Sequence, residues 1–198
     1  MIKLLFVGDG PRDRASIPSL VQNILAKPAD CECDDWARLH HRGSGRGYRN
    51  KLLFAIRRAQ ADKKDGLVAT VDSDSPVPSD RIKELKDARE SLRRKERPFP
   101  TALGEAVPNG DAWLLDDPLA VCDALQLDRN TAIPVVTKVR DPKPELDKII
   151  SQSSRAGDDL LQVLAEIAQL VRMERSRHFS ETGFEAFARD VAAELSQL

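Results

Sequence analysis

The chain has 198 residues, enough for one domain with its own hydrophobic core and a helical extension. It is 41% hydrophobic and 32% charged, and its net charge of -1 lacks the overall basic character of nucleic-acid-binding proteins. The sequence shows no apolar run long enough to cross a bilayer and no signal-peptide pattern, and its three cysteines do not make a disulfide framework. We therefore expect a cytoplasmic protein without membrane contacts.

Short apolar runs alternate with segments of helical periodicity in the first half of the chain. Strands are predicted at residues 3–7, 31–39, 67–71 and 101–107. Helices are predicted from Ser16 to Leu25, around residues 52–59 and over residues 79–96, with Ser79 as the cap. This alternation predicts an α/β fold with a mainly parallel, Rossmann-like sheet and helices on both faces.

The second half of the chain has mainly helical periodicity. Helices are predicted at residues 116–125, at residues 158–173 and from Gly183 onwards, with a proline-bounded connector at residues 141–144. We therefore expect an α/β core over residues 1–108 and a helical C-terminal extension over residues 109–198 that packs on this core.

Acidic residues follow two of the predicted strands. The segments VGDG (residues 7–10) and VDSD (residues 71–74) lie where a parallel sheet places its ligand site, beyond the carboxyl ends of the strands. Asp72 and Asp74 share one side if the chain stays extended, and Asp9 adds a third carboxylate. Carboxylates are ligands for Mg²⁺, and Asp9 could also act as a general base. The same segments are turn sequences, because Asp and Ser bond their own backbone, and both interpretations remain open.

A glycine-rich basic loop, HHRGSGRGYR, covers residues 40–49. Its glycines expose backbone N–H groups, and Arg42, Arg46 and Arg49 suit phosphate oxygens, while Tyr48 could stack on a base. These four residues are the predicted nucleic-acid contacts. The alternative is a flexible connector, since Gly-Ser-Gly is typical of linkers.

Five segments together resemble a known family. They are LLFVGDGPRD (residues 4–13), LVATVDSD (67–74), AVPNGDAWLLDDP (106–118), DPKPELDKII (141–150) and TGFEAF (182–187). With the alternating strands and helices, they resemble the TOPRIM domain of topoisomerases, primases and some nucleases. The greatest similarity is to small bacterial TOPRIM-like proteins, and it covers most of the chain.

The resemblance implies magnesium- or manganese-dependent phosphodiester chemistry on DNA or RNA, in a defence or repair system with a partner such as an ATPase. Asp72 and Asp74 match the family's metal-binding Asp-x-Asp, and Asp111 matches an acidic position before a tryptophan. The resemblance therefore implies that Asp9, Asp72 and Asp74 are the catalytic residues and that these three and Asp111 are the metal ligands. Asp9 stands where the family usually carries glutamate, the proposed general acid-base. Because aspartate is one methylene shorter, the resemblance also allows a binding module without catalysis, and a nucleotide-binding α/β domain is a further alternative.

Overall fold

A computed structural model describes residues 1–39, 47–77, 79–94 and 98–198. Its centre is a four-stranded, all-parallel sheet in the order β2-β1-β3-β4. The strands are β1 (Ile2–Gly8), β2 (Ala29–Asp35), β3 (Gly66–Asp72) and β4 (Thr101–Ala106). The predicted α/β fold class with a parallel sheet is confirmed, and the architecture is consistent with a Rossmann-like fold.

The described residues form nine α-helices around this sheet. They are α1 (Pro11–Leu25), α2 (Trp36–Leu39), α3 (Tyr48–Ala61), α4 (Asp80–Arg93), α5 (Asp111–Leu115), α6 (Pro118–Leu125), α7 (Pro142–Ser151), α8 (Leu160–Leu170) and α9 (Phe184–Leu195). In the part of the chain that the structure describes, none of these helices combines the length and the apolar character that a membrane crossing requires.

Alternation along β1 divides the core into two layers. Leu4 and Phe6 face one layer, which also holds apolar residues of α1 and of the helices after β4. Leu5 and Val7 face the other layer, against α2, α3 and α4. Both faces of the sheet are therefore covered, which explains why β1 and β3 read as nearly continuous apolar runs.

The helices after β4 pack on the first layer. α8 lies against α1, and α9 contacts both α1 and β4. The Trp113 ring of α5 stacks on Phe187 of α9 with ring centroids 4.8 Å apart, and its indole N–H donates to the Thr182 carbonyl at 2.7 Å. Gly104 makes room for this contact, because a Cβ there would lie 2.5 Å from the Phe187 ring.

Several helices differ from their predicted bounds. α1 begins at Pro11, five residues before Ser16, because proline suits the first helical turn and Gly10 precedes it. Residues 141–144 are not a connector: Asp141 caps α7 by accepting the Lys143 N–H at 3.1 Å, and Pro142 begins the helix. The strand predicted at residues 31–39 ends at Asp35, where α2 follows.

Candidate metal centre

Three carboxylates meet at the carboxyl ends of β1 and β3. One oxygen of each of Asp9, Asp13 and Asp72 lies within 4.8 Å of the other two. β1 and β3 are neighbours in the sheet, but the chain leaves β1 towards β2 on its other side. This reversal creates the crevice in which open parallel sheets bind their ligands. We call Asp9, Asp13 and Asp72 the acidic triad.

Backbone hydrogen bonds hold the triad together. Asp13 is the third residue of α1, and its carboxylate accepts the backbone N–H of Asp9 at 2.8 Å and that of Gly10, the cap residue. An acidic side chain at the third position of a helix can fold back in this way and accept the N–H groups just before the helix. Asp9 in turn accepts the Asp72 N–H at 2.6 Å, which joins the end of β1 to the end of β3.

Gly110 closes the other side of the triad. Its N–H donates to Asp72 Oδ1 at 3.0 Å. A Cβ at this position would lie 2.8 Å from Asp13 Oδ1, closer than real Cβ contacts allow. A side chain here would force the Asp13 carboxylate to shift, so the close approach of the backbone to the carboxylates favours glycine. The backbone angles do not require glycine, since φ is -59°.

The environment favours the protonated forms of the triad. Burial, together with the nearby Asp13 and Asp9 carboxylates, raises the pKa of Asp72 to about 8. Burial likewise raises the pKa of Asp13 to about 6. Although Asp9 is exposed as a residue, burial of its carboxyl group raises its pKa, against the Asp72 N–H, which lowers it.

The triad opens into a cavity of about 650 Å³, the acidic cavity, whose lining carries many more acids than bases among the described residues. Of these residues, Arg12 and Lys143 are the basic ones that line it. Its aspartates are Asp9, Asp13, Asp72, Asp74, Asp111, Asp141 and Asp147. Such an excess of negative charge attracts cations and repels an anion that arrives without one.

The structure brings Asp9 and Asp72 together, and Asp74 lies outside their group but close enough for its charge to raise the pKa of both. β3 ends at Asp72, and Asp74 has a left-handed backbone (φ 56°), so strand alternation no longer applies to it. Its carboxylate lies 2.6 Å from Arg81 Nη2, and Arg81 also donates to the Asp72 carbonyl at 2.8 Å. Asp74 lines the acidic cavity without belonging to the triad.

Asp111 also lines the acidic cavity, but as one half of a buried ion pair. Its carboxylate accepts both Nε and Nη2 of Arg12, with a shortest distance of 2.5 Å. Arg12 Nη1 reaches Asp147 at 2.8 Å. Burial raises the pKa of Asp111, and the Arg12 guanidinium opposes this. The guanidinium therefore joins the first turn of α1 to α5 and α7 around the cavity.

The predicted nucleic-acid contacts are only partly described. Arg42 and Arg46 lie outside the described residues. Tyr48 begins α3, where its ring packs edge-on against Trp36 with centroids 5.3 Å apart. Its hydroxyl bonds to Asp9, and burial and this carboxylate raise the pKa of Tyr48 to about 12. Arg49 is exposed, and its backbone N–H donates to Glu84 at 3.3 Å.

The donor set of the triad fits a hard divalent cation. Mg²⁺ and Mn²⁺ prefer carboxylate oxygens, and Mg²⁺ commonly takes one or two of them with waters for the rest. Like-charged carboxylates that raise one another's pKa lose this repulsion when a cation lies between them. The sequence patterns did not single out Asp13, because its helix was expected to begin only at Ser16. The signal was present in Gly10-Pro11-x-Asp13, a typical helix start.

Comparison of the chain with protein-family models, with curated proteins and with solved structures found no match.

Proposed function

We propose that this protein is a magnesium-dependent, TOPRIM-like nuclease that hydrolyses phosphodiester bonds of DNA or RNA, in a bacterial defence or repair system. The observation that carries the proposal is the acidic triad at the junction of β1 and β3, inside a cavity lined by seven aspartates. The resemblance of the strand-end segments to TOPRIM proteins supplies the reaction class.

Each residue of the triad has a role in this proposal. Asp72 and Asp13 would hold the metal from the two sides of the crevice, and their backbone partners keep both carboxylates in place. Bound Mg²⁺ would polarise the scissile phosphate and supply a nucleophilic water at neutral pH. Asp9 is the most exposed of the three and would accept a proton from the attacking water. Arg49, with Arg42 and Arg46, would bind the phosphate backbone.

Calorimetry with Mg²⁺ and a nuclease assay on the same samples test the proposal. The wild type should bind Mg²⁺ and cleave a nucleic acid, and the double variant Asp13→Asn with Asp72→Asn should do neither. The matched control is Asp30→Asn with Asp87→Asn, which removes two exposed aspartates elsewhere and should behave as the wild type. A wild type that binds no divalent ion would sink the proposal and leave the triad as a structural turn and helix start.

A second candidate is a TOPRIM-like binding module that regulates a partner ATPase or nuclease. It is favoured by the contacts of Asp9, which already accepts the Asp72 N–H and the Tyr48 hydroxyl and is shorter than the family's glutamate. Asp9→Glu separates the two candidates. In a weak enzyme the longer side chain should raise cleavage, by up to about a hundredfold if it corrects a displacement near 1 Å. In a binding module it should change nothing.

The salt dependence of binding separates a polymer substrate from a mononucleotide. A strand that makes many phosphate contacts loses affinity steeply as salt rises, whereas a mononucleotide loses little. We expect a steep dependence, measured by fluorescence anisotropy of a labelled oligonucleotide in magnesium.

A further inference from the structure

A second cavity lies beside the acidic cavity and differs from it in character. It measures about 300 Å³, the lower end of the range for small-molecule sites. Most of its lining is apolar, and we call it the apolar cavity. Its lining includes Pro76, Val107, Pro108, Val136, Val139 and Arg140.

The two cavities share a wall. Pro108 lines the apolar cavity, and the next residue, Asn109, lines the acidic one. The same holds for Arg140 and Asp141. The two halves of this wall are joined by a hydrogen bond from Asn109 Nδ2 to Asp141 Oδ1 at 2.9 Å. The two cavities therefore lie against neighbouring residues of the same two segments.

Positive charge lies on the rim of this wall. Arg140 lines the apolar cavity, Lys143 lines the acidic cavity, and both are exposed. Glu181 also lines the apolar cavity, but its carboxylate accepts the Ser180 hydroxyl at 2.8 Å and lies 3.6 Å from His178 Nδ1. A ligand that fits this arrangement carries a flat apolar ring at one end and an anionic group at the other.

We propose that the apolar cavity binds the nucleoside adjacent to the scissile phosphate of a nucleic-acid strand, with its base against Val136 and Val139 and its phosphate near Arg140. This inference rests on the proposed function, because it takes the acidic cavity as the place of the phosphodiester. It deepens that function by assigning a base-binding subsite to residues that follow β4. A base of any identity presents an apolar face, so the subsite would tolerate different sequences.

The test compares two probes by calorimetry in magnesium: adenosine 5′-monophosphate, and ribose 5-phosphate, which lacks the base. The wild type should bind the first more tightly by about tenfold or more, the gain expected from burying an apolar ring. Thr137→Trp fills the apolar cavity from an exposed position and should abolish this preference. Thr131→Trp is the matched control, since Thr131 is exposed and lies outside the lining.

A change at the rim gives an independent readout. Arg140→Gln should weaken the binding of both probes alike, because both carry the phosphate, while Lys138→Gln, at an exposed residue outside the lining, should weaken neither. The inference is overturned if the wild type binds the two probes equally or binds neither. It is also overturned if Thr131→Trp removes the preference as fully as Thr137→Trp does.

A cleavage assay on the same samples keeps the two proposals apart. A base preference without cleavage of any oligonucleotide would refute the nuclease and leave a nucleotide-binding cavity. Cleavage by a protein that shows no base preference would support the nuclease and refute the subsite.

Discussion

The substitution Asp72→Asn should stabilise the metal-free protein. Asn keeps the oxygen that accepts the Gly110 N–H, but it cannot ionise among the other carboxylates. The pKa of Asp72 is about 8 in the folded state against 3.8 for the free group. Each unit of difference is worth about 1.4 kcal/mol, so ionisation in the unfolded state at pH 7 favours unfolding by about 4 kcal/mol. Sharing of protons within the triad reduces the expected gain for Asp72→Asn to about 2–4 kcal/mol.

The sign of the pH dependence follows from the raised pKa. The folded state holds its proton more tightly, so the stability from this group is fully present below about pH 4 and is lost as pH rises towards 8. Urea denaturation in a chelator should therefore give nearly equal free energies of unfolding for the wild type and Asp72→Asn near pH 4. At pH 7 the free energy of unfolding should be larger for Asp72→Asn. Magnesium should reverse the order by stabilising only the wild type.

Asp87→Asn, at an exposed position on α4, is the control for this series and should track the wild type at every pH. If Asp72→Asn is no more stable than the wild type at pH 7 in chelator, the pKa of Asp72 is not raised in the folded protein and this explanation is wrong.

Three further predictions concern the same centre. Magnesium affinity should fall about tenfold for each pH unit between pH 8 and pH 6, because Asp72 must release its proton to bind metal. Calorimetry at several pH values measures this, and an affinity that does not change with pH would contradict it. Gly110→Ala should lower magnesium affinity by about tenfold, because its methyl group would overpack against Asp13 at a cost of about 1–3 kcal/mol; unchanged affinity would contradict the close approach. Arg12→Ala should lower the free energy of unfolding by about 3–5 kcal/mol, because it leaves Asp111 buried without its partner. The double variant with Asp111→Asn should regain part of this lost stability, as measured by urea denaturation.

The sequence alone predicted the layers of this protein. Runs such as LVATV became the buried strands of a parallel sheet, because a strand covered on both faces must be apolar at every position. Ser79 was predicted as a helix cap and does accept the Arg81 N–H at 3.3 Å. These features depend on neighbouring residues only, which a linear pattern records.

Local rules also located two of the three triad residues. Asp9 follows β1 and Asp72 ends β3, and the carboxyl ends of parallel strands lie at one edge of the sheet. The extended conformation that alternation assumes ends at Asp72, and Asp74 has a left-handed backbone and an ion pair with Arg81. Asp74 lies outside the triad, although its charge raises the pKa of Asp9 and of Asp72. The ion pair depends on how α4 packs.

Only the tertiary structure decided which acids share a site and which are neutralised. Arg12 and Asp111 are 99 residues apart in sequence, and their ion pair depends on the docking of α5 against α1. The raised pKa values of Asp13 and Asp72 likewise come from burial and from neighbouring carboxylates, which are Asp9 and Asp111 for Asp13, and Asp13 and Asp9 for Asp72. The sequence by itself determined the alternating elements and the acids at the strand ends. The distances between side chains, their burial and their pKa values are set only when the elements pack together, and so is the wall between the two cavities.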